Sequence, residues 1–169
     1  TSLSIPSDLG DRIHKLAKKE GIFCQCIRCR EIKEENFNPK NICFFTHSFM
    51  ASGAKEYFIS AEIPRPHSNL LLGFIRLRLL DKKENCYLED LKDCDAIIRE
   101  LHVYGRVKAV GEMNNSYNVQ HQGIGKKLLQ KAEWITKRHG RVKMAIISGI
   151  GVREYYRKRG YYQQGTYMV

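Results

Sequence analysis

A chain of 169 residues, 43% hydrophobic and 10% aromatic, is long enough for one domain with a real core. No apolar run is long enough to span a membrane. Residues 1–7 carry neither an initiator methionine nor a secretion signal, which reads as a chain beginning inside a longer, cytoplasmic protein. The net charge of +11 is uneven, because residues 120–169 hold eleven Lys/Arg against only Glu133 and Glu154, so a polyanion is expected nearby, either nucleic acid or the phosphates of a nucleotide cofactor.

The spacing of Leu9, Ile13, Leu16 and Ala17 predicts a helix over 7–20, stopped at Gly21. Residues 22–45 read as irregular and cysteine-rich. A strand is expected over 57–63, then a turn through Pro64 to Asn69. A long strand follows over 70–80, with Arg76 and Arg78 on one face and Ile75, Leu77 and Leu79 on the other. Residues 81–95 are polar and loop-like. Another strand is expected over 96–103. Ile124, Leu128, Ala132 and Ile135 then mark an amphipathic helix that ends in Lys137-Arg138-His139 before Gly140. An apolar strand over 143–148, a short helix over 152–159 and a last strand or strand pair over 161–169 complete the order. The strands before and after the long helix should lie parallel, joined by a right-handed crossover. A ligand is expected where they separate, beside the helix N-terminus.

Four groups of residues carry chemistry. The segment Gln120-His121-Gln122-Gly123-Ile124-Gly125-Lys126 links a strand-bearing stretch to that helix. Its two glycines allow close backbone approach, and the amides of a turn and a helix N-terminus suit a pyrophosphate. Tyr155 and Tyr156 are adjacent on a short helix, so they point about 100° apart. One is expected to pack while the other reaches the site, where a phenol could protonate a leaving thiolate. Glu100 and His102 share one strand face, and either could deprotonate an attacking amine. Cys24, Cys26 and Cys29 form a C-x-C-x-x-C cluster that fits a structural Zn²⁺. The fourth ligand stays open among Cys43, His47, His67, Cys86 and Cys94. Arg28, Arg30, Arg76, Arg78 and Arg99 are expected to bind phosphates, to meet an acidic neighbouring domain, or simply to face solvent.

Gln-x-x-Gly-x-Gly followed by a basic residue is the pattern of GCN5-related N-acetyltransferases. The chain further resembles the family of Elongator catalytic subunits, in Cys26-x-x-Cys29-Arg30-Glu31-Ile32, Leu72-Gly73-Phe74-Ile75-Arg76-Leu77-Arg78 and Arg99-Glu100-Leu101-His102-Val103-Tyr104-Gly105. The resemblance continues through Gln120 to Gly125, Ile147 to Arg153, Tyr155-Tyr156-Arg157-Lys158 and Gly165-x-Tyr167-Met168, in the family's order over roughly residues 20–169. Residues 33–69 and 106–119 depart from the pattern.

The resemblance implies an α/β fold of the GCN5-related N-acetyltransferase type, a mixed central sheet with flanking helices, preceded by a small cysteine-rich zinc linker. It implies a linker over 1–45 and an acetyl-CoA-binding domain over 46–169. Gln120, Gln122, Gly123, Ile124, Gly125 and Lys126 would hold the CoA pyrophosphate, with Leu101 and Val103 also in contact with the cofactor. Tyr155 and Tyr156 would lie against the thioester and pantetheine. In such a protein acetyl-CoA donates carbon for carboxymethylation of the tRNA wobble uridine. A radical S-adenosylmethionine domain with a 4Fe–4S cluster, absent from this chain, would act as partner. The implied partners are tRNA, met through the basic face, that radical domain and other Elongator subunits; no membrane is implied. Two other readings stand beside this one: a lysine or small-amine acetyltransferase using Glu100 or His102 as base, and a non-enzymatic binding module on the same fold.

Overall fold

A nearly continuous apolar run over residues 70–80 fits a strand buried on both faces. The structure, a computed structural model, describes residues 8–33, 35–80, 89–105 and 123–169. Helix α1 (Leu9–Lys19) and the single turn α2 (Ile27–Arg30) come first. Strands β1 (Cys43–Ala51), β2 (Ala54–Ile63), β3 (Leu70–Leu79) and β4 (Ala96–Val103) follow as an antiparallel meander. Helix α3 (Ile124–Arg138) crosses over to β5 (Met144–Ile147), which is parallel to β4. Helix α4 (Arg153–Arg157) and the short strands β6 (Gln163–Gln164) and β7 (Tyr167–Met168) complete a sheet of order β1-β2-β3-β4-β5-β7-β6. This is the mixed central sheet with flanking helices expected from the sequence. Among the described residues no helix is long and apolar enough to cross a membrane.

Helix α3 buries the stripe its spacing predicts. Ile124, Leu128, Leu129, Ala132 and Ile135 pack with Ile59, Leu72, Ile75, Leu77 and Ile98 from the sheet. Full burial of one such aliphatic chain stabilises by about 1.5–3 kcal/mol, so this single face fixes the helix on the sheet. A smaller cluster of Leu80, Leu91, Cys94, Ile97, Ala145 and Val169 lies apart from it.

Strand β1 falls in a stretch for which the sequence gives no clear period. It is an edge strand, exposed or half-exposed throughout, so nothing forces its residues to alternate. Its hairpin to β2 turns on Ser52 and Gly53, both with positive φ (47° and 78°), the geometry that favours a two-residue hairpin.

Four of the five arginines, Arg30, Arg76, Arg78 and Arg99, have structural partners. Glu56 on β2 is buried, and Arg78 at 3.0 Å, Arg99 at 2.8 Å and Arg76 at 3.7 Å converge on its carboxylate. Strand register brings them together, since Glu56 lies opposite Arg78. Arg30 reaches from α2 to buried Glu62 at 2.9 Å and also donates to the Gln25 carbonyl. Burial pulls the Glu62 carboxyl upward, but bonds from Ser60, Asn69 and Arg30 outweigh it and hold the pKa below the ordinary carboxylate value. That stabilisation is present above the ordinary carboxylate range and is lost as pH falls through the folded value.

Arg30→Ala should therefore lower stability by about 3 kcal/mol, the low end for breaking a buried pair, because Ser60 and Asn69 still bond Glu62. Urea unfolding reads this loss, and a second change, Glu62→Gln, should recover part of it. If Arg30→Ala unfolds like the wild type, the pair is not what ties the cysteine-bearing loop to β2.

Candidate functional site

The parallel ladder between β4 and β5 runs only from Ala96 to Ile98, and the strands part beyond it. The α3 N-terminus and α4 close the gap. Leu101, Val103, Gly123, Gly125, Lys126, Val152, Tyr155, Tyr156 and Arg159 line a cavity of about 410 Å³ there. Gly123 is the residue before α3 and has φ of 67°, a conformation that costs other residues. Gly125 serves a different purpose: a Cβ there would lie 2.9 Å from the Tyr155 hydroxyl and 3.5 Å from Val103. Gln120 and Gln122 lie outside the described residues.

The two tyrosines differ in setting. Tyr156 is 5% exposed and packs edge-on against Tyr155 at 5.1 Å and Tyr161 at 6.1 Å. Burial first, then the neighbouring Tyr155, pushes its pKa up to about 12. Tyr155 is half-buried, and its hydroxyl is enclosed beside Gly125 without a hydrogen-bond partner among the described residues. The guanidinium of Arg159 lies 3.5 Å from the centre of its ring. Burial raises the Tyr155 pKa against the opposing charge of Arg159, so at neutral pH it is a neutral donor. A buried hydroxyl with no protein partner is a place for a ligand atom. Arg159 joins Lys126 in giving the cavity positive charge; the sequence pattern did not single it out.

Strand alternation separates the β4 residues. Leu101 and Val103 face the cavity. Glu100 and His102 take the other face, where Glu100 lies 3.9 Å from Arg76 and the His102 ring is 4.4 Å from that of Tyr104.

A second cluster lies at the cysteines. Donor atoms of His14, Cys24 and Cys29 lie within 4.8 Å of one another, with Cys29 Sγ 3.3 Å from His14 Nε2. The Cys26 thiol is drawn below its ordinary pKa by the backbone of Cys29 first, then by the thiols of Cys24 and Cys29. Cys29 is pushed up to about 12, first by Cys26 and then by burial. His14, Cys24 and Cys29 converge on one point, and with Cys26 beside both thiols they offer three sulfurs and one imidazole, a Zn²⁺ donor set. His14 was not among the fourth ligands expected. Cys43 and His47 are on β1, His67 stacks on Phe23 at 4.3 Å, Cys94 is buried in the smaller core, and Cys86 lies outside the described residues. The available signal was a lone histidine on the helix just before the cysteines.

No family model matches the chain. It is 37% identical over 96% of its length to the tRNA uridine(34) acetyltransferase of Methanocaldococcus infernus, covering 31% of that protein. It is 40% identical to Elongator complex protein 3 of Mus musculus, over 90% of this chain and 28% of that one. Among solved structures, the archaeal Methanocaldococcus infernus Elp3 with an N-terminal deletion matches with a TM-score of 0.78 and 37% identity, over 96% of this chain and 38% of that chain. The chain is similar to one part of each of these proteins. It spans about three tenths of the length of these curated relatives. The sheet and helices described above therefore match one portion of that archaeal structure.

Proposed function

We propose that this chain is the acetyl-CoA-binding and acetyl-CoA-hydrolysing module of an acyltransferase that carboxymethylates the wobble uridine of tRNA at C5. The observation that carries this reading is the enclosed, unpartnered Tyr155 hydroxyl in the cavity between β4 and the α3 N-terminus. The names of the homologous proteins supply the tRNA uridine substrate and the acetyl donor. Residues 1–45 form the cysteine-bearing module, in which His14, Cys24 and Cys29, with Cys26 beside them, hold Zn²⁺, and residues 46–169 form the acetyl-CoA module.

In this reading the Gly123–Lys126 amides, Lys126 and Arg159 bind the pyrophosphate, and Leu101 and Val103 line the pantetheine channel. In hydrolysis water adds to the thioester carbonyl, the C–S bond breaks, Tyr155 gives its proton to the departing thiolate and regains one from the added water, and acetic acid and CoA thiol leave. Gln120 and Gln122 belong to the same loop. The acetyl group passes to a radical S-adenosylmethionine domain with its 4Fe–4S cluster, and other Elongator subunits are further partners.

The test is release of CoA thiol from acetyl-CoA by this chain, with and without tRNA. Stimulation by tRNA is expected. Tyr155→Phe should cut the rate by roughly 10²-fold while CoA affinity changes little. An unchanged rate in Tyr155→Phe would remove the proton-donor role. A second reading, lysine or small-amine N-acetylation, has less support, because its candidate bases Glu100 and His102 take the face of β4 away from the cavity. RNA-independent transfer to a peptide amine would establish it instead.

A further inference from the structure

Helix α3 carries a second stripe beside its buried one. Lys127, Lys131, Trp134 and Arg138 recur at intervals of four, three and four, and so share one face. All four are exposed. Trp134 is the only tryptophan in the chain and is 57% exposed, with the Arg138 guanidinium 4.7 Å from its ring centre. The ammonium groups of Lys127 and Lys131 lie 6.0 and 5.5 Å from the ring of Phe44 on β1, so the stripe continues onto the sheet edge. Among the described residues none of the three cations has an acidic partner, whereas the arginines of the sheet all do.

Exposed cations in a row beside an exposed indole put positive charge and a flat aromatic face on one surface. They match an RNA strand, whose phosphates need cations and whose bases offer flat faces for stacking. The cations span about 16 Å at 1.5 Å per residue, enough for several nucleotides. We infer that this face of α3 binds RNA, with Lys127, Lys131 and Arg138 on phosphates and Trp134 against a base. The inference rests on the tRNA reading above and names the surface that serves it. The acetyl-CoA cavity uses other residues, so the two fail separately.

The experiment is a titration of a fluorescein-labelled tRNA transcript, read by anisotropy at several salt concentrations. The triple variant Lys127→Gln, Lys131→Gln, Arg138→Gln should weaken binding at least tenfold and lower the salt exponent by about two to three. Trp134→Ala should weaken it about tenfold and leave the exponent unchanged, with Trp134→Phe recovering most of the loss. In the wild type the transcript should quench Trp134 fluorescence. Acetyl-CoA binding measured on the same variants should match the wild type, showing that the fold is intact. Unchanged tRNA affinity and salt exponent in the triple variant would overturn the inference. So would polyglutamate displacing the transcript at equal charge without Trp134 quenching, which would assign the face to an acidic protein. Failure of the wild type to bind acetyl-CoA would sink the acetyl-CoA reading but leave the RNA face standing.

Discussion

Gly123→Glu should reduce acetyl-CoA affinity by more than 100-fold while the chain stays folded. At φ 67° any side chain is strained by roughly 1–2 kcal/mol. A Cβ at Gly123 meets nothing within 4 Å, so the protein offers no clash. The new carboxylate would also sit at the α3 N-terminus, where a negative charge is favoured, which limits the damage to folding. The loss falls on the ligand. A carboxylate about 5 Å from a pyrophosphate charge costs about 3 kcal/mol at an effective dielectric of 20, and it occupies the amides the phosphate needs. Calorimetric titration with CoA reads the affinity, and thermal unfolding reads the fold. Gly123→Ala is the control: it keeps the strain, lacks the charge and should bind within about tenfold of the wild type. Wild-type affinity in Gly123→Glu would mean the pyrophosphate does not lie at this turn.

The two glycines show what the sequence could and could not reveal. Both read as backbone positions near a ligand. Only the structure divides them, Gly123 by its positive φ and Gly125 by the approach of Tyr155. The division depends on α4 folding back onto α3, a contact between segments some thirty residues apart. Helix α3 was legible because burial on one face imposes a period, and strands β3 and β4 because they are apolar runs of eight to ten residues bounded by polar stretches. Strand β1 was not, because an exposed edge strand has no such constraint. Arg76 and Arg78 were correctly placed on one face. That they and Arg99 share the Glu56 carboxylate follows from strand register, which the turn chemistry and the bulge at Arg76/Leu77 decide. The cysteine trio was legible from spacing, but its imidazole was not, because a helix and a reversal of the chain bring His14 back to Cys29.

That return sets the largest expected effect of metal removal. Helix α1 has no buried residue, and Leu9, Ile13 and Leu16 are 40%, 54% and 61% exposed. Packing therefore does little to hold it, and an isolated helix of eleven residues is marginal in water. Its observed side-chain tie to the chain beyond it is His14 to Cys29. The sheet and α3 rest on an apolar core to which the cysteines contribute nothing. Binding of structural zinc is worth about 10–16 kcal/mol in small zinc modules. Chelation should therefore raise hydrogen exchange throughout residues 8–29 and leave Ile32, β2, β3 and α3 protected. His14→Ala should reproduce much of that pattern and weaken zinc binding by at least 10²-fold, while Cys43→Ser, His47→Ala and His67→Ala should not. Zinc content by mass spectrometry and exchange by segment distinguish these outcomes. Full zinc occupancy in His14→Ala would return the fourth position to another residue. Loss of protection in β3 on chelation would show that the metal supports the whole fold, not just the module that carries it.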